Sequence, residues 1–324
     1  MKKPLVLAIL GPTATGKTAL GIGLARRLGG EVVSCDSMQI YKGLPIGTAQ
    51  PTPQELSQAP HHLIGFLGVD EPFSASDYVS LAAKAIQEIT ARGRLPVLVG
   101  GTGLYARSLL RGFAFDEGAK DEALRAQLFA QAEEQGPQAL YARLQALDPQ
   151  GAKAIHPHNV KRVVRALEVC LLTGGPFSQQ AARSRQAEAP YRPFMLCPTF
   201  ADRQLLYGRI NKRVDLMLEE GLLQEAEGFY RHCQRAGTPP TAAQAIGYKE
   251  LFPYFQGETT LEEAVEKIKQ ESRRYAKRQL TWFSREPDAH FLCLDGLTPA
   301  QALDQGAAMA RAWLAGGEGK GAQG

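Results

Sequence analysis

Five short apolar runs, each closed by turn residues, recur along the chain at Leu5 to Leu10, Glu31 to Cys35, Pro96 to Val99, Phe194 to Cys197 and Phe291 to Leu294. Runs of that length without a polar alternation predict strands buried on both faces. Segments with helical spacing separate them, beginning with Ala19 to Leu28, so the pattern predicts an α/β core with a parallel sheet. Between Asp116 and Pro193 the strand signal disappears. Helical patterns at Asp121 to Gln135, Pro137 to Leu147 and Asn159 to Thr173 take its place, broken at Gly136-Pro137, Asp148-Pro149 and Gly174-Gly175-Pro176. Further helices are expected at Asp202 to Glu220, Leu222 to Cys233, Ala242 to Phe255, Leu261 to Ser284 and Thr298 to Leu314. The domain reading is therefore a first core part over 1–115, an all-helical insertion over 116–193, a second core part over 194–315 and a frayed Gly-rich tail over 316–324.

One junction carries chemistry directly. Gly11-Pro12-Thr13-Ala14-Thr15-Gly16-Lys17-Thr18 lies between the first strand and the first helix. Such a loop aims backbone N–H groups at an anion, Lys17 adds charge, and Thr18 offers a hydroxyl to Mg²⁺. A bound di- or triphosphate is expected, which leaves kinases, NTPases and diphosphate-using transferases all open. The second strand ends in Asp36-Ser37-Met38-Gln39, at the same carboxyl edge of a parallel sheet. Asp36 is then a turn carboxylate, a base or a group behind the metal. The third central strand ends in Gly100-Gly101-Thr102, where a P-loop NTPase usually places an aspartate for its metal. Thr102 offers an uncharged hydroxyl to a ligand or caps a helix.

Arg209 and Arg213 stand four apart on one helix face, suited to a phosphate-rich ligand or to pairing with Asp215 or Glu219. Lys161, Arg162 and Arg165 form a basic edge in the insertion. Arg273, Arg274, Lys277, Arg278 and Arg285 repeat it late in the chain, interleaved with Tyr275, Trp282 and Phe283. Basic residues mixed with aromatics suit unpaired RNA.

Composition narrows the picture only modestly. The chain has 324 residues, 44% hydrophobic, with a net charge of +4, so any nucleic-acid partner must be recognised by local clusters. No apolar run reaches the ~18 residues that cross a bilayer. Met1-Lys2-Lys3-Pro4 leads into a strand without a small-residue cleavage site, and a cytoplasmic protein is expected, a monomer by default. Cys35, Cys170, Cys197, Cys233 and Cys293 lack Cys-x-x-Cys spacing and are expected to be buried apolar residues. His61-His62 and the His156 and His158 pair have no accompanying metal ligands.

Taken in order, the motifs resemble the tRNA dimethylallyltransferases over nearly the whole chain, from Gly11 to about Arg285. The markers are the phosphate loop; Asp36-Ser37-Met38-Gln39-Ile40-Tyr41; Gly47-Thr48-Ala49; Gly100-Gly101-Thr102-Gly103-Leu104-Tyr105; Arg209-Ile210 with Arg213-Val214-Asp215; Gln244-Ala245-Ile246-Gly247-Tyr248-Lys249; and Lys277-Arg278-Gln279-Leu280-Thr281-Trp282. The resemblance implies a P-loop NTPase-like core and transfer of a dimethylallyl group from dimethylallyl diphosphate to the exocyclic amine of the adenosine immediately 3′ of the tRNA anticodon. It implies Asp36 as base, Thr102 orienting the amine, and Lys17, the loop, Arg209 and Arg213 on the diphosphate, with Mg²⁺ near Thr18. It also places Asp36 to Gln39, Arg125, Lys161 to Arg165, Gln244 to Lys249, and Lys277 to Arg285 with Trp282, against the tRNA anticodon stem-loop. The segment His156-Pro157-His158-Asn159 departs from the family pattern, which carries an Asn-Asp pair before the basic residues. A small-molecule or nucleotide kinase is the rival reading. A GTPase-like switch would carry Asn-Lys-x-Asp, which the sequence lacks.

Overall fold

The computed structural model describes residues 3–113, 120–186, 188–237 and 239–318. Six strands form one sheet: β1 (Leu5–Leu10), β2 (Gly30–Cys35), β3 (His61–His62), β4 (Leu95–Gly100), β5 (Arg192–Thr199) and β6 (Ala289–Cys293). Their order is β3-β2-β4-β1-β5-β6, and every pairing is parallel. The two-residue β3, too short to leave a periodic signal, is the strand the sequence pattern does not show.

Alternation along β1 explains why the run is apolar throughout. Val6, Ala8 and Leu10 face a cluster with Tyr78, Ile86 and Leu109 of the helices Ala75–Ala91 and Gly103–Arg111. Leu7 and Ile9 face the other way, into a cluster with Leu20, Leu24, Ala307 and Ala310 of the helices Lys17–Leu28 and Pro299–Glu318. Both faces of the strand are covered, so neither can carry polar residues. Of the cysteines, Cys35, Cys170, Cys197 and Cys233 are buried as expected, while Cys293 is exposed on the edge strand β6.

The chain divides into two compact units, Met1–Leu110 with Pro190–Gly324, and Arg111–Ala189. The expected boundary at 116 falls outside the described residues, and the second unit ends before the expected 193. The frayed tail is corrected in part: Gly316 to Glu318 continue the helix that starts at Pro299, while 319–324 lie outside the described residues.

The second unit contains helices Glu122–Gln135, Pro137–Leu147, Pro149–Lys153, Val160–Thr173 and Phe177–Gln186 around Leu128, Leu140, Leu144, Val163 and Leu167. Two buried carboxylates organise it. Asp148 accepts from the Gly151 and Ser178 N–H groups and the Ser178 hydroxyl. Glu168, with no exposed surface, accepts from the Asp121 N–H at 3.0 Å and from Arg125 and Arg165 at 2.9 Å each.

In the first unit a third cluster joins helices Arg203–Glu219, Leu222–Ala236 and Leu261–Phe283 to the segment after β2 through Tyr41, Val214, Phe229, Tyr248 and Ile268. The helix expected over Ala242 to Phe255 does not form as one element. A 3₁₀ turn covers Thr241–Gln244, Ala245 is extended, Gly247 takes φ +107°, and only Phe252–Phe255 is α-helical. A left-handed glycine followed by Pro253 is incompatible with a continuous helix, and it outweighs the good helix formers around it.

Candidate active site

The loop after β1 turns into the helix Lys17–Leu28 through Gly16 at φ 80°, in the left-handed region that glycine occupies without strain. No side chain caps that helix, so its first N–H groups are available to an anion. Thr13, Ala14, Gly16, Lys17 and Thr18 line a polar cavity of about 100 Å³ with Asp36, Gln39, Thr48, Arg213, Tyr275 and Gln279. Gly11, Pro12 and Thr15, expected to touch the phosphates, do not line it. Pro12 has no N–H, and its carbonyl instead accepts from Thr15 Oγ1 at 2.9 Å and Lys17 Nζ at 2.6 Å, which shapes the loop. Burial, then the neighbouring Arg213 charge, lowers the Lys17 pKa to about 7 against the opposing pull of Asp36.

Both arginines of the helix Arg203–Glu219 reach this loop. Arg213 donates to Thr13 Oγ1 at 3.2 Å and lines the cavity. Arg209 is exposed, and its Nε donates to the Ala14 carbonyl at 2.9 Å, so it braces the loop from outside instead of lining the cradle. Asp215, the alternative partner for these arginines, pairs with Lys269 at 2.8 Å.

A second cavity of about 260 Å³ adjoins the first. Its walls include Met38, Ile210, Val214, Met217, Ile246 and Ile268, with Ser37, Gly47, Ala49, Gln244, Ala245, Gly247, Lys249, Ser272 and Arg278 around them. Thr13, Ala14, Asp36, Thr48, Arg213 and Tyr275 line both cavities. A polar, cationic chamber thus meets a larger, more apolar one at a single carboxylate. Asp36 Oδ1 accepts the Met38 N–H at 2.9 Å, a turn that engages one oxygen and fixes the group at the junction.

Other expected contacts are redistributed. Thr102 is not among the residues lining either cavity; its Oγ1 accepts the Ser37 N–H at 3.0 Å and contacts Ser37 Oγ at 3.3 Å, so it ties the Asp36 turn to the end of β4. Gln39 donates to the Ala49 carbonyl at 2.7 Å and accepts from Ser34 Oγ at 3.2 Å, binding the segment after β2 to the sheet. Tyr248 has no exposed surface and cannot meet RNA. Trp282 packs over Gly103 with the Arg107 guanidinium 4.5 Å from its ring centre, and its indole nitrogen is buried. Arg125 and Arg165 both compensate the buried Glu168 carboxylate while 37% and 34% of their side chains stay exposed. Lys161, Arg162, Lys249, Lys277, Arg278 and Arg285 remain exposed basic residues.

The sequence reading carried Gln279 only as a member of the Lys277 to Trp282 motif and gave it no role of its own. Buried at 4% exposure, it accepts the Thr13 N–H at 2.9 Å and donates to the Gly101 carbonyl at 3.0 Å, joining the phosphate loop to the end of β4. Its neighbours Lys277 and Arg278 drew attention by charge; a buried amide gives no such signal.

The sequence profile of the IPP transferase family matches residues 39–286. The tRNA dimethylallyltransferase of Geobacillus thermodenitrificans is 50% identical over 285 residues, covering 87% of this chain and 88% of its own. That of Bacillus subtilis is 50% identical over 286 residues with the same coverage. Among solved structures, the full-length tRNA isopentenylpyrophosphate transferase of Bacillus halodurans superposes with a TM-score of 0.70 at 44% identity, covering 95% of this chain and 96% of that one. A eukaryotic dimethylallyltransferase acting on tRNA superposes with a TM-score of 0.84 at 29% identity, covering 97% of this chain and 80% of that one. A β4 end without an acidic residue, two cavities meeting at Asp36, and these likenesses agree, and the chain belongs to the IPP transferase family.

Proposed function

We propose that this chain, in the cytoplasm and as a monomer, transfers a dimethylallyl group from dimethylallyl diphosphate to the exocyclic amine of the adenosine immediately 3′ of a tRNA anticodon. The observation that carries this reading is the junction itself: Asp36 and Arg213 border both the phosphate cradle and the larger chamber. The relatives named as tRNA dimethylallyltransferases support it, and they do not support the kinase alternative. One substrate presents a diphosphate to the cradle with its five-carbon group toward the junction. The other presents a purine from the chamber.

Adenine's amine is a weak nucleophile because its lone pair is delocalised into the ring. As the nitrogen attacks the carbon, Asp36 takes the amine proton, so the product nitrogen is neutral. The carbon–oxygen bond breaks and its electron pair leaves with the diphosphate. Lys17, Arg213 and the N–H groups at the start of the helix Lys17–Leu28 meet that growing charge, positioned before the reaction begins. No water is activated, which accounts for a P-loop without an acidic residue after β4.

Magnesium fits this cradle as a partner of the diphosphate. Thr18 offers one hydroxyl there, and among the described residues no group of three His, Cys, Asp or Glu could hold a metal alone. Mg²⁺ ordinarily keeps several waters and takes one or two protein oxygens beside phosphates. When bound, it supplies further neutralisation of the leaving group.

No helix among the described residues is long and apolar enough to cross a membrane. The exposed Lys249, Lys277, Arg278 and Arg285 of the first unit, and Lys161 and Arg162 of the second, supply charge for an RNA backbone. The deciding experiment incubates unmodified tRNA and Mg²⁺ with either labelled dimethylallyl diphosphate or γ-labelled ATP. Label from the first enters tRNA; transfer from ATP alone would establish a kinase instead.

A further inference from the structure

The larger chamber is walled in part by Gly47-Thr48-Ala49 and Gln244 to Gly247, and no strand or α-helix holds either segment. Their placement must be set by side chains. Glu225, on the helix Leu222–Ala236, holds both. Its Oε1 accepts the Gly47 N–H at 2.8 Å and its Oε2 accepts the Ile46 N–H at 3.0 Å. The same Oε1 accepts the Tyr248 hydroxyl at 2.6 Å, which ties the second segment to the first.

Tyr248 is buried completely, its ring edge-on to Phe229 of the same helix at 5.3 Å between centres. Burial and the Glu225 carboxylate both keep its phenol protonated, so it stays a donor. A Cβ on Gly47 would fall on the Tyr248 ring, so the two segments touch through a glycine. From the other side, buried Glu250 accepts the Gly247 N–H at 2.8 Å. Glu225 and Tyr248 themselves line neither the chamber nor the cradle.

We infer that Glu225 and Tyr248 are positioning residues for the acceptor base, fixing the chamber wall against which it is received. This rests on the transfer reaction proposed above. The two segments adjoin and together make one wall, and a flat ring gains dispersion only from a surface it touches: a gap of 0.5–1 Å forfeits roughly a quarter to a half of that attraction. The clamped segments give several residues to the chamber but only Thr48 to the cradle. Loosening the clamp therefore acts on the acceptor and spares the donor.

The test is steady-state transfer with unmodified tRNA and dimethylallyl diphosphate, varied separately, for the wild type, Tyr248→Phe, Glu225→Ala and the double variant. Tyr248→Phe keeps the ring in the core and removes one hydrogen bond to a charged group; the KM for tRNA should rise about tenfold. The KM for dimethylallyl diphosphate, and its direct binding by calorimetry, should stay within about twofold. Glu225→Ala should raise the tRNA KM further, and the double variant should be no worse than Glu225→Ala, because their shared bond is lost only once. An unchanged tRNA KM, a parallel rise in both KM values, or effects that multiply in the double variant would overturn the inference. If Glu225→Ala fails to fold, Tyr248→Phe decides alone. A wild-type chain that transfers no label refutes the activity itself, a result obtained before any variant is compared.

Discussion

The pH dependence of donor binding follows from one side chain. Lys17 sits in the cradle beside Arg213 with its pKa lowered to about 7, by burial first and by the arginine second. A bound diphosphate supplies the opposite charge and returns the ammonium toward the ordinary lysine value of about 10.4. Binding must then place a proton on Lys17 wherever the free site has lost it. With a free-site value of about 7, roughly a tenth of the lysines are protonated at pH 8, so binding takes up about 0.9 proton. The association constant falls about tenfold from pH 6 to 8 and nearly tenfold again to pH 9. The buried Cys35 and Cys197 thiols are pushed up to about 12, clear of that window, and an organic phosphate completes its ionisation near pH ~6, so the range from pH 7 to 9 isolates Lys17 best.

Calorimetry with dimethylallyl diphosphate and excess Mg²⁺, without tRNA, measures this directly when repeated in two buffers of different ionisation heat. Lys17→Arg keeps the charge but does not titrate, so its uptake at pH 8 should vanish and its affinity should stay flat between pH 7 and 9. Uptake below about 0.2 proton by the wild type at pH 8, with a flat affinity to pH 9, would refute the argument.

In the ligand-free protein the Lys17 contribution has the converse sign: the unfolded chain holds the extra proton above about pH 7, so this lysine adds up to ~1.4 kcal/mol of stability per pH unit, until the buried thiols, which ionise only on unfolding, oppose it above about pH 8.5; between pH 7 and 8.5 thermal melts of the wild type should rise more steeply with pH than those of Lys17→Met. Asp36→Asn should lower kcat by about 10²–10⁴ while donor affinity stays within a few-fold, and near-normal turnover would remove Asp36 as the base. Gln279→Ala leaves the Thr13 N–H and the Gly101 carbonyl without their partner, so denaturant unfolding should show a loss of about 2–3 kcal/mol, with weaker donor binding. Arg278→Ala should weaken tRNA binding and reduce the slope of log affinity against log salt by about 1, whereas an unaltered slope would deny it a phosphate contact.

Which parts of this site were legible in the sequence depends on how each part is built. The strands declare themselves because β1 and β4 are buried on both faces and must be apolar throughout. The cradle declares itself because few residue combinations can turn from strand to helix while presenting uncapped amides, and Gly16 and Lys17 are among them. The walls of the chamber left a weaker trace. Gln244 to Lys249 reads as helix by propensity and becomes a wall only because Gly247 turns left-handed and Glu225, some 20 residues earlier, pairs with Tyr248. The pairing of Arg125 and Arg165 with the buried Glu168 is likewise something that spacing along the chain does not announce.

A P-loop that holds a leaving group faces a different electrostatic problem from one that holds a nucleotide for hydrolysis. Hydrolysis needs a positioned water and a fixed metal, and an acidic residue after the neighbouring strand serves both. Here β4 ends in Gly100, and the chain continues through Gly101, whose carbonyl accepts from Gln279, and Thr102, whose hydroxyl accepts the Ser37 N–H. The positive charge comes instead from a helix late in the chain, through Arg213 at Thr13 and Arg209 at the Ala14 carbonyl. Burial, and after it the repulsion between two cations held close, weakens the Lys17 ammonium in the cradle. That repulsion is relieved most when the diphosphate carries its greatest charge, after the carbon–oxygen bond has broken. A site built this way binds the departing group more strongly than the intact ester, and that difference lowers the barrier.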